Sequence, residues 1–269
     1  MPAGARLSSG DALPRISPQL LRWFTWYSRR YVKRHFHSLR VSRSGPPPCA
    51  HGLPLVIYSN HASWWDPLVG LVVTSAFFAD RTLFAPIDAA MLARYKMLGN
   101  LGFFGVARDR AQGAIQFLRT AQAILESPQH LLAITPQGRF ADVRERPARL
   151  EGGLGHLATR VGRALFVPLV AEYVFWDERL PEILLRFGEP VEIHNNVGSR
   201  VTPSGRTREF EYNLEAAQDA LSAEARRRDP AAFRSLLIGG AGQGGVYDWF
   251  RAGKAKLRGE AFTREHGRA

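Results

Sequence analysis

Short apolar runs at 53–59, 81–85, 103–107, 131–135, 165–170 and 183–187 punctuate the middle of this chain, each about the length of one strand. Runs this short and this continuously apolar fit a sheet covered on both faces. Helical patterns lie between them, clearest at 111–127, where Ile115, Leu118, Ala121 and Leu125 mark one face and Pro128 ends the run. Strands alternating with helices predict an α/β domain, a mixed and largely buried sheet flanked by helices. With 269 residues, 45% of them hydrophobic, the chain can supply one substantial core. The apolar stretch 68–79 is broken by Thr74 and Ser75 and falls well short of the roughly twenty residues a membrane span needs, so it reads as a buried or interfacial helix.

Gly45 followed by Pro46, Pro47 and Pro48 sets a boundary. The expected organisation is an N-terminal membrane-surface helix with a proline-rich linker at 1–48, the α/β domain at 49–197, and a helical extension at 198–269 packed on that domain. Within the extension, 198–206 reads as a polar connection, and 209–227 and 247–257 read as helices. The glycine-rich stretch 239–245 lacks the preceding strand and the lysine of a nucleotide loop, so it is expected to be a connector.

The segment 17–43 mixes Trp23, Phe24, Trp26, Tyr27, Tyr31 and Phe36 with Arg22, Arg29, Arg30, Lys33, Arg34, Arg40 and Arg43, and contains no acidic residue. Ser17-Pro18 starts a helix well, a capping hydroxyl followed by proline in the first turn. Such a helix can sink its aromatic side into a headgroup layer while its cations meet lipid phosphates. The same pattern also describes an amphipathic helix packed on its own domain. A net charge of +12 draws the protein to polyanions. With no nucleic-acid motif beside these aromatics, the expected polyanion is an anionic membrane surface, not nucleic acid.

The first fifteen residues lack the apolar stretch of a secretory signal, and the single cysteine, Cys49, excludes an intramolecular disulfide. We expect a peripheral protein on the cytoplasmic face of the inner membrane. The scattered histidines His35, His37, His51, His130, His156 and His194 show no metal-ligand spacing, so no metal is expected.

Chemistry concentrates after the first of the apolar runs, in Asn60-His61-Ala62-Ser63-Trp64-Trp65-Asp66-Pro67. On a regular helix His61 and Asp66 would point about 140° apart, so they meet only if the chain turns between them. Asp66-Pro67 supplies a helix start there, with Asp66 expected as the cap. An aspartate beside an imidazole fixes its tautomer and leaves the other ring nitrogen to accept a proton, as a general base does. The alternative is a capping aspartate and a hydrogen-bonded loop histidine with no chemistry. Ser63 is expected to bond the local backbone, which argues against a nucleophilic role.

The pattern Asn-His-x-Ser-x-x-Asp-Pro after an apolar strand resembles the signature of the glycerolipid acyltransferases, the family of bacterial 1-acylglycerol-3-phosphate acyltransferases. The resemblance implies that His61 activates an acceptor hydroxyl for attack on the thioester of acyl-CoA or acyl-carrier-protein, with Asp66 supporting it and no further cofactor. It continues at Gly102 to Arg108, similar to a strand ending in an arginine that holds the acceptor's phosphate, with Arg110 as a nearby substitute. At Thr135-Pro136-Gln137-Gly138-Arg139 the family usually has Pro-Glu-Gly, and here Gln137 stands for the glutamate and Arg139 follows the glycine directly. If the usual glutamate orients a glycerol hydroxyl, Gln137 shifts acceptor preference away from lysophosphatidate. A last block, 166–170, resembles the family's apolar strand containing proline.

The resemblance thus implies catalysis by His61 and Asp66 and substrate binding by Asn60, Ser63, Arg108, Arg110, Gln137, Gly138 and Arg139. The function expected is acyl transfer to a lysophospholipid or other lipid-like acceptor. A catalytically weak lipid-binding protein of the same fold, or a thioester or lipid hydrolase, are the alternatives.

Overall fold

A computed structural model describes residues 13–47, 52–108, 110–195 and 201–241. Cys49, His51, Gly242, Gly244, Gly245 and the helix expected at 247–257 lie outside the described residues. The strands are β1 (Ser38–Ser42), β2 (Leu55–Ser59), β3 (Thr82–Asp88), β4 (Phe103–Val106), β5 (His130–Ile134), β6 (Arg163–Val174), β7 (Glu182–Phe187), β8 (Val191–His194) and β9 (Phe233–Ile238). They form one nine-stranded sheet in the order β4-β3-β5-β2-β6-β7-β1-β9, with β8 paired to β6. From β4 to β6 neighbouring strands run parallel; β7 returns antiparallel to β6, and β9 antiparallel to β1. The helices are α1 (Pro18–His35), α2 (Asp66–Phe77), α3 (Ala89–Arg94), α4 (Ala111–Ile124), α5 (Gly153–Ala158) and α6 (Pro203–Arg226). This is the mixed α/β architecture the apolar runs predict.

Both faces of the sheet are covered, and β6 shows how the sequence arranges it. Leu165, Val167, Leu169 and Ala171 enter the core beneath α1 and α2, while Ala164, Phe166 and Val170 enter the core beneath α4, α5 and α6. Successive side chains of a strand point to opposite faces, so a continuous apolar run serves two cores at once. The stretch 68–79 is largely the buried helix α2, with Leu68, Val69, Leu71, Val72 and Val73 inside. No described helix is long and apolar enough to cross a membrane.

Three features differ from the sequence reading. The helix expected over 17–43 ends at His35, where Phe36 turns extended, and 38–42 becomes β1. Leu39 and Val41 are 0% and 1% exposed, and β1 sits between β7 and β9, so the sheet begins before the proline run and a boundary at residue 48 cuts through it. The basic residues around this alternating Ser-Leu-Arg-Val-Ser stretch continue the composition of the helix and mask its two-residue period. Strand β8 is short and half polar, and Arg234 and Ser235 interrupt β9, so neither carries the continuous apolar run of a strand buried on both faces. In the C-terminal part, Thr202 accepts from the Gly205 amide and caps α6, so helix begins where a polar connection was expected.

Candidate active site

The parallel strands β2, β3, β4 and β5 all present their carboxyl ends along one edge, where ligands bind in open α/β sheets. Asn60 and His61 follow β2, Arg108 follows β4, and Gln137 follows β5. Residues far apart in sequence thereby converge.

His61 Nδ1 lies 2.8 Å from Asp66 Oδ2. The turn between them closes because the Ser63 amide donates to the same oxygen at 3.0 Å, and the Trp65 amide donates to Ser63 Oγ at 3.4 Å. Ser63 thus bonds its local backbone, as its position predicts. Asp66 differs from expectation in one respect. It is the first residue of α2 and makes no capping bond, because its carboxylate faces back to His61 and Ser63.

The other carboxylate oxygen, Oδ1, accepts a hydrogen bond of 2.6 Å from the Tyr173 hydroxyl on β6. Burial, then the Asp66 charge and this hydrogen bond, push the Tyr173 hydroxyl far above the ordinary range of a phenol. Tyr173 therefore remains a donor. The Ser63 amide, the Tyr173 hydroxyl and His61 Nδ1 converge on the Asp66 carboxylate and orient the imidazole, and the remaining ring nitrogen, Nε2, is left to exchange a proton. Tyr173 is separated from Asp66 by 107 positions, and nothing in its local sequence marks it.

The loop after β5 supplies the other wall. Gln137, buried, accepts from the His61 amide through Oε1 at 3.0 Å and donates through Nε2 to the Ala148 carbonyl at 3.1 Å. The Ala141 amide donates to the His61 carbonyl at 2.9 Å, and the Phe140 ring packs tilted against the His61 imidazole at 4.3 Å between centroids. Both ends of the Gln137 amide are used inside the protein. The expected contact of Gln137 with an acceptor is corrected accordingly: the side chain is a strut between the histidine turn and the chain at 148.

Asn60 is likewise a strut. Its amide exchanges two hydrogen bonds with the Ala171 backbone, at 3.0 and 2.8 Å, pinning the end of β2 to β6, so the expected substrate contact is corrected here as well. Gly138 adopts φ +66°, and a Cβ there would lie 2.5 Å from Arg108 Nη2 and 3.3 Å from Glu151 Cγ. The left-handed backbone at Gly138 favours glycine, and the Arg108 guanidinium lies against the turn it makes. Arg108 and Arg110 are exposed. Arg139 is exposed too, and pairs with Glu145. Among the described residues, no group of three or more His, Cys, Asp and Glu side chains gathers as a metal site would require.

Trp65, inside the catalytic turn, packs edge-on against Phe36 at 4.8 Å and against Tyr31 at 5.2 Å, tying the turn to α1. Val32 and Phe36 are buried while Trp23, Trp26 and Trp64 are exposed, so α1 packs on its own domain with one side and leaves tryptophans on another.

No family model matches the sequence, and no curated protein matches it. Among solved structures it is similar to the 1-acyl-sn-glycerophosphate (LPA) acyltransferase PlsC from Thermotoga maritima, with a TM-score of 0.52 and 14% identity over 76% of this chain and 80% of that one. The fold is that of an acyltransferase. At this identity the likeness concerns the path of the chain, and the chemistry has to be read from the residues.

Proposed function

We propose that this protein transfers a fatty acyl group from acyl-CoA or acyl-carrier-protein to a lysophospholipid or other lipid-like alcohol or amine. The observation that carries the reading is the His61–Asp66 contact of 2.8 Å, set at the carboxyl edge of an acyltransferase fold with Nε2 free of any partner among the described residues. In the proposed step Nε2 takes the acceptor's proton, and the acceptor oxygen or nitrogen bonds to the thioester carbonyl carbon. The carbon–sulfur bond then breaks, and the thiolate recovers the proton from the imidazolium. General-base help of this kind contributes typically 10²–10⁴ in rate. No cofactor beyond the acyl donor is called for.

The supporting electrostatics lie in Arg108 and Arg110, exposed beside the site, whose planar guanidinium groups suit a phosphate-bearing acceptor. On α1, Arg22, Arg29, Arg30, Lys33 and Arg34 are all exposed together with Trp23 and Trp26. They support docking on an anionic membrane surface, at the cytoplasmic face of the inner membrane, with Trp64 carrying the aromatic surface up to the catalytic turn. Incubation with labelled acyl-CoA or acyl-carrier-protein and a lipid extract tests the proposal. New acyl-lipid supports transfer; free fatty acid alone identifies a hydrolase, and absence of turnover with retained lipid binding identifies a binding protein.

A further inference from the structure

The chain leaves the carboxyl end of β3 and reaches β4 through α3 and a 3-10 helix at Lys96–Leu101. Asp88, the last residue of β3, caps α3 by accepting from the Ala90 amide at 2.8 Å and the Met91 amide at 3.3 Å. Strand β4 fixes which side of α3 faces inward. A Cβ at Gly105 would lie 3.3 Å from Ala89 Cα and from Leu92 Cδ2, so the glycine admits α3 close against the strand through those two residues. On the other side Met91, Arg94 and Tyr95, three and four positions apart, share a face, and the Arg94 guanidinium lies over the Tyr95 ring at 5.3 Å. All three are exposed, as are Lys96 and Met97 just beyond, and from Ala89 to Arg108 the sequence contains no acidic residue.

Nothing within the chain accounts for so apolar an outer face. Met91, Tyr95 and Met97 leave 44%, 43% and 44% of their surface in water, and no residue of α3 is buried. Apart from Met1, the methionines of the whole chain are these two. Methionine adapts its shape to an irregular apolar medium, while arginine and lysine can lay their stems on apolar surface and keep their charges at a phosphate layer. The 3-10 helix also adjoins α1, since the Ser17 amide donates to the Asn100 carbonyl at 2.8 Å. We infer that α3 and the 3-10 helix form a second contact with an anionic lipid bilayer, one that rests on the membrane docking proposed above for α1. Met91, Tyr95 and Met97 enter the boundary of the acyl layer, and Arg94 and Lys96 meet the phosphates. An acidic protein would match the two cations alone, whereas a bilayer takes up both kinds of side chain. Because α3 follows the carboxyl end of β3 as His61 follows that of β2, this contact brings the catalytic edge of the sheet to the lipid.

Amide hydrogen exchange of the full chain, with and without vesicles of phosphatidylcholine and phosphatidylglycerol, tests this without reference to turnover. The amides of 89–101 should exchange at least about fivefold more slowly on the mixed vesicles, together with those of α1. Sedimentation with the same vesicles separates the two parts of the contact. Met91→Ser combined with Met97→Ser should weaken binding about tenfold at low and high salt alike, because the lost interaction is apolar. Arg94→Gln combined with Lys96→Gln should weaken it about tenfold at low salt and much less at high salt. Both pairs alter exposed side chains, so thermal melts should match the wild type. A wild type that sediments with vesicles while 89–101 stays unprotected overturns the assignment and leaves docking by α1 in place. Serine variants that bind like the wild type, beside glutamine variants that do not, overturn it as well and mark a purely electrostatic face suited to an acidic protein. If the wild type binds no vesicles, both membrane contacts fall, and the acyl-transfer assay decides the chemistry separately.

Discussion

His61 and Asp66 are held by contacts from the start of α2, from β6 and from the loop after β5, whereas Arg108, Arg110 and Arg139 reach the same edge as long, exposed side chains. The first region is over-determined: three donors fix one carboxylate, and a buried amide, a backbone amide and an aromatic ring fix one histidine turn. The second region has one firm feature, the left-handed turn at Gly138 against which the Arg108 guanidinium rests. The contrast matches what each region is asked to do. A proton is transferred only within hydrogen-bond reach, so misplacement of a base is costly in rate. A phosphate is met by a mobile guanidinium at little cost in geometry.

The sharpest way to break this contrast is to remove the base. His61→Ala should lower turnover at least about a hundredfold, while a thermal melt and vesicle binding stay near the wild type, since the imidazole makes a single hydrogen bond in a partly exposed position. A well-folded His61→Ala protein with retained activity would end the proposed mechanism. Next in size is Tyr173→Phe. It deletes one donor to Asp66 and keeps the ring that packs against Phe36. Tyr173 acts through Asp66 and does not meet substrate, so kcat should fall about tenfold with KM little changed, and Tyr173→Trp or Tyr173→Ala should not restore it. A change confined to KM would show that Tyr173 serves the substrate directly.

How much of this the sequence discloses follows from the same physics. The dyad is legible because its two members lie in one turn and the proline after Asp66 marks a helix start. The parallel half of the sheet is legible because buried strands are continuously apolar. Tyr173 is not legible, because β6 carries it to Asp66 through tertiary pairing alone. Strand β1 is hidden by basic composition it shares with α1. Asn60 and Gln137 are instructive misreadings: polar residues inside a catalytic motif read as ligand contacts, yet a polar side chain at the end of a buried strand must first satisfy neighbouring backbone groups. Both do so in full, and that demand cannot be seen until the neighbouring backbone is in place.

Gln137→Glu turns this correction into a measurement. A carboxylate keeps the acceptor for the His61 amide but loses the donor to the Ala148 carbonyl, setting two oxygens against each other in a buried site. The cost should be about 1–3 kcal/mol in chemical denaturation. Preference among lysophosphatidate, other lysophospholipids and a glycosylated lipid should not move. A shift toward lysophosphatidate at unchanged stability would return Gln137 to the acceptor site and blur the division between the two regions.

The smallest effects belong to the arginine rim, and they divide it further. Arg108 lies against Gly138 with its guanidinium beside the turn that leads to His61, and none of its nitrogens has a hydrogen-bond or carboxylate partner among the described residues. Arg139 is already engaged, its guanidinium on Glu145 and on the Phe140 carbonyl. A free guanidinium at the surface contributes on the order of 1 kcal/mol to an anionic ligand, so Arg108→Gln should raise KM for a phosphate-bearing acceptor about fivefold and leave kcat and the KM for an uncharged acceptor nearly unchanged. Arg139→Gln should move KM for the same acceptor by less than about twofold, because the side chain must give up Glu145 before it can bind anything else, and an exposed pair of this kind is itself worth only about 0–1 kcal/mol. Steady-state kinetics with a phosphate-bearing and a neutral acceptor, run side par side at low and high salt, separates the two arginines: the Arg108 effect should shrink as screening rises, and Arg139→Gln should show little salt dependence. If Arg108→Gln instead lowers kcat as far as Tyr173→Phe does, Arg108 belongs with the dyad as part of the preorganised machinery, and the rim is not the adaptable half of the site.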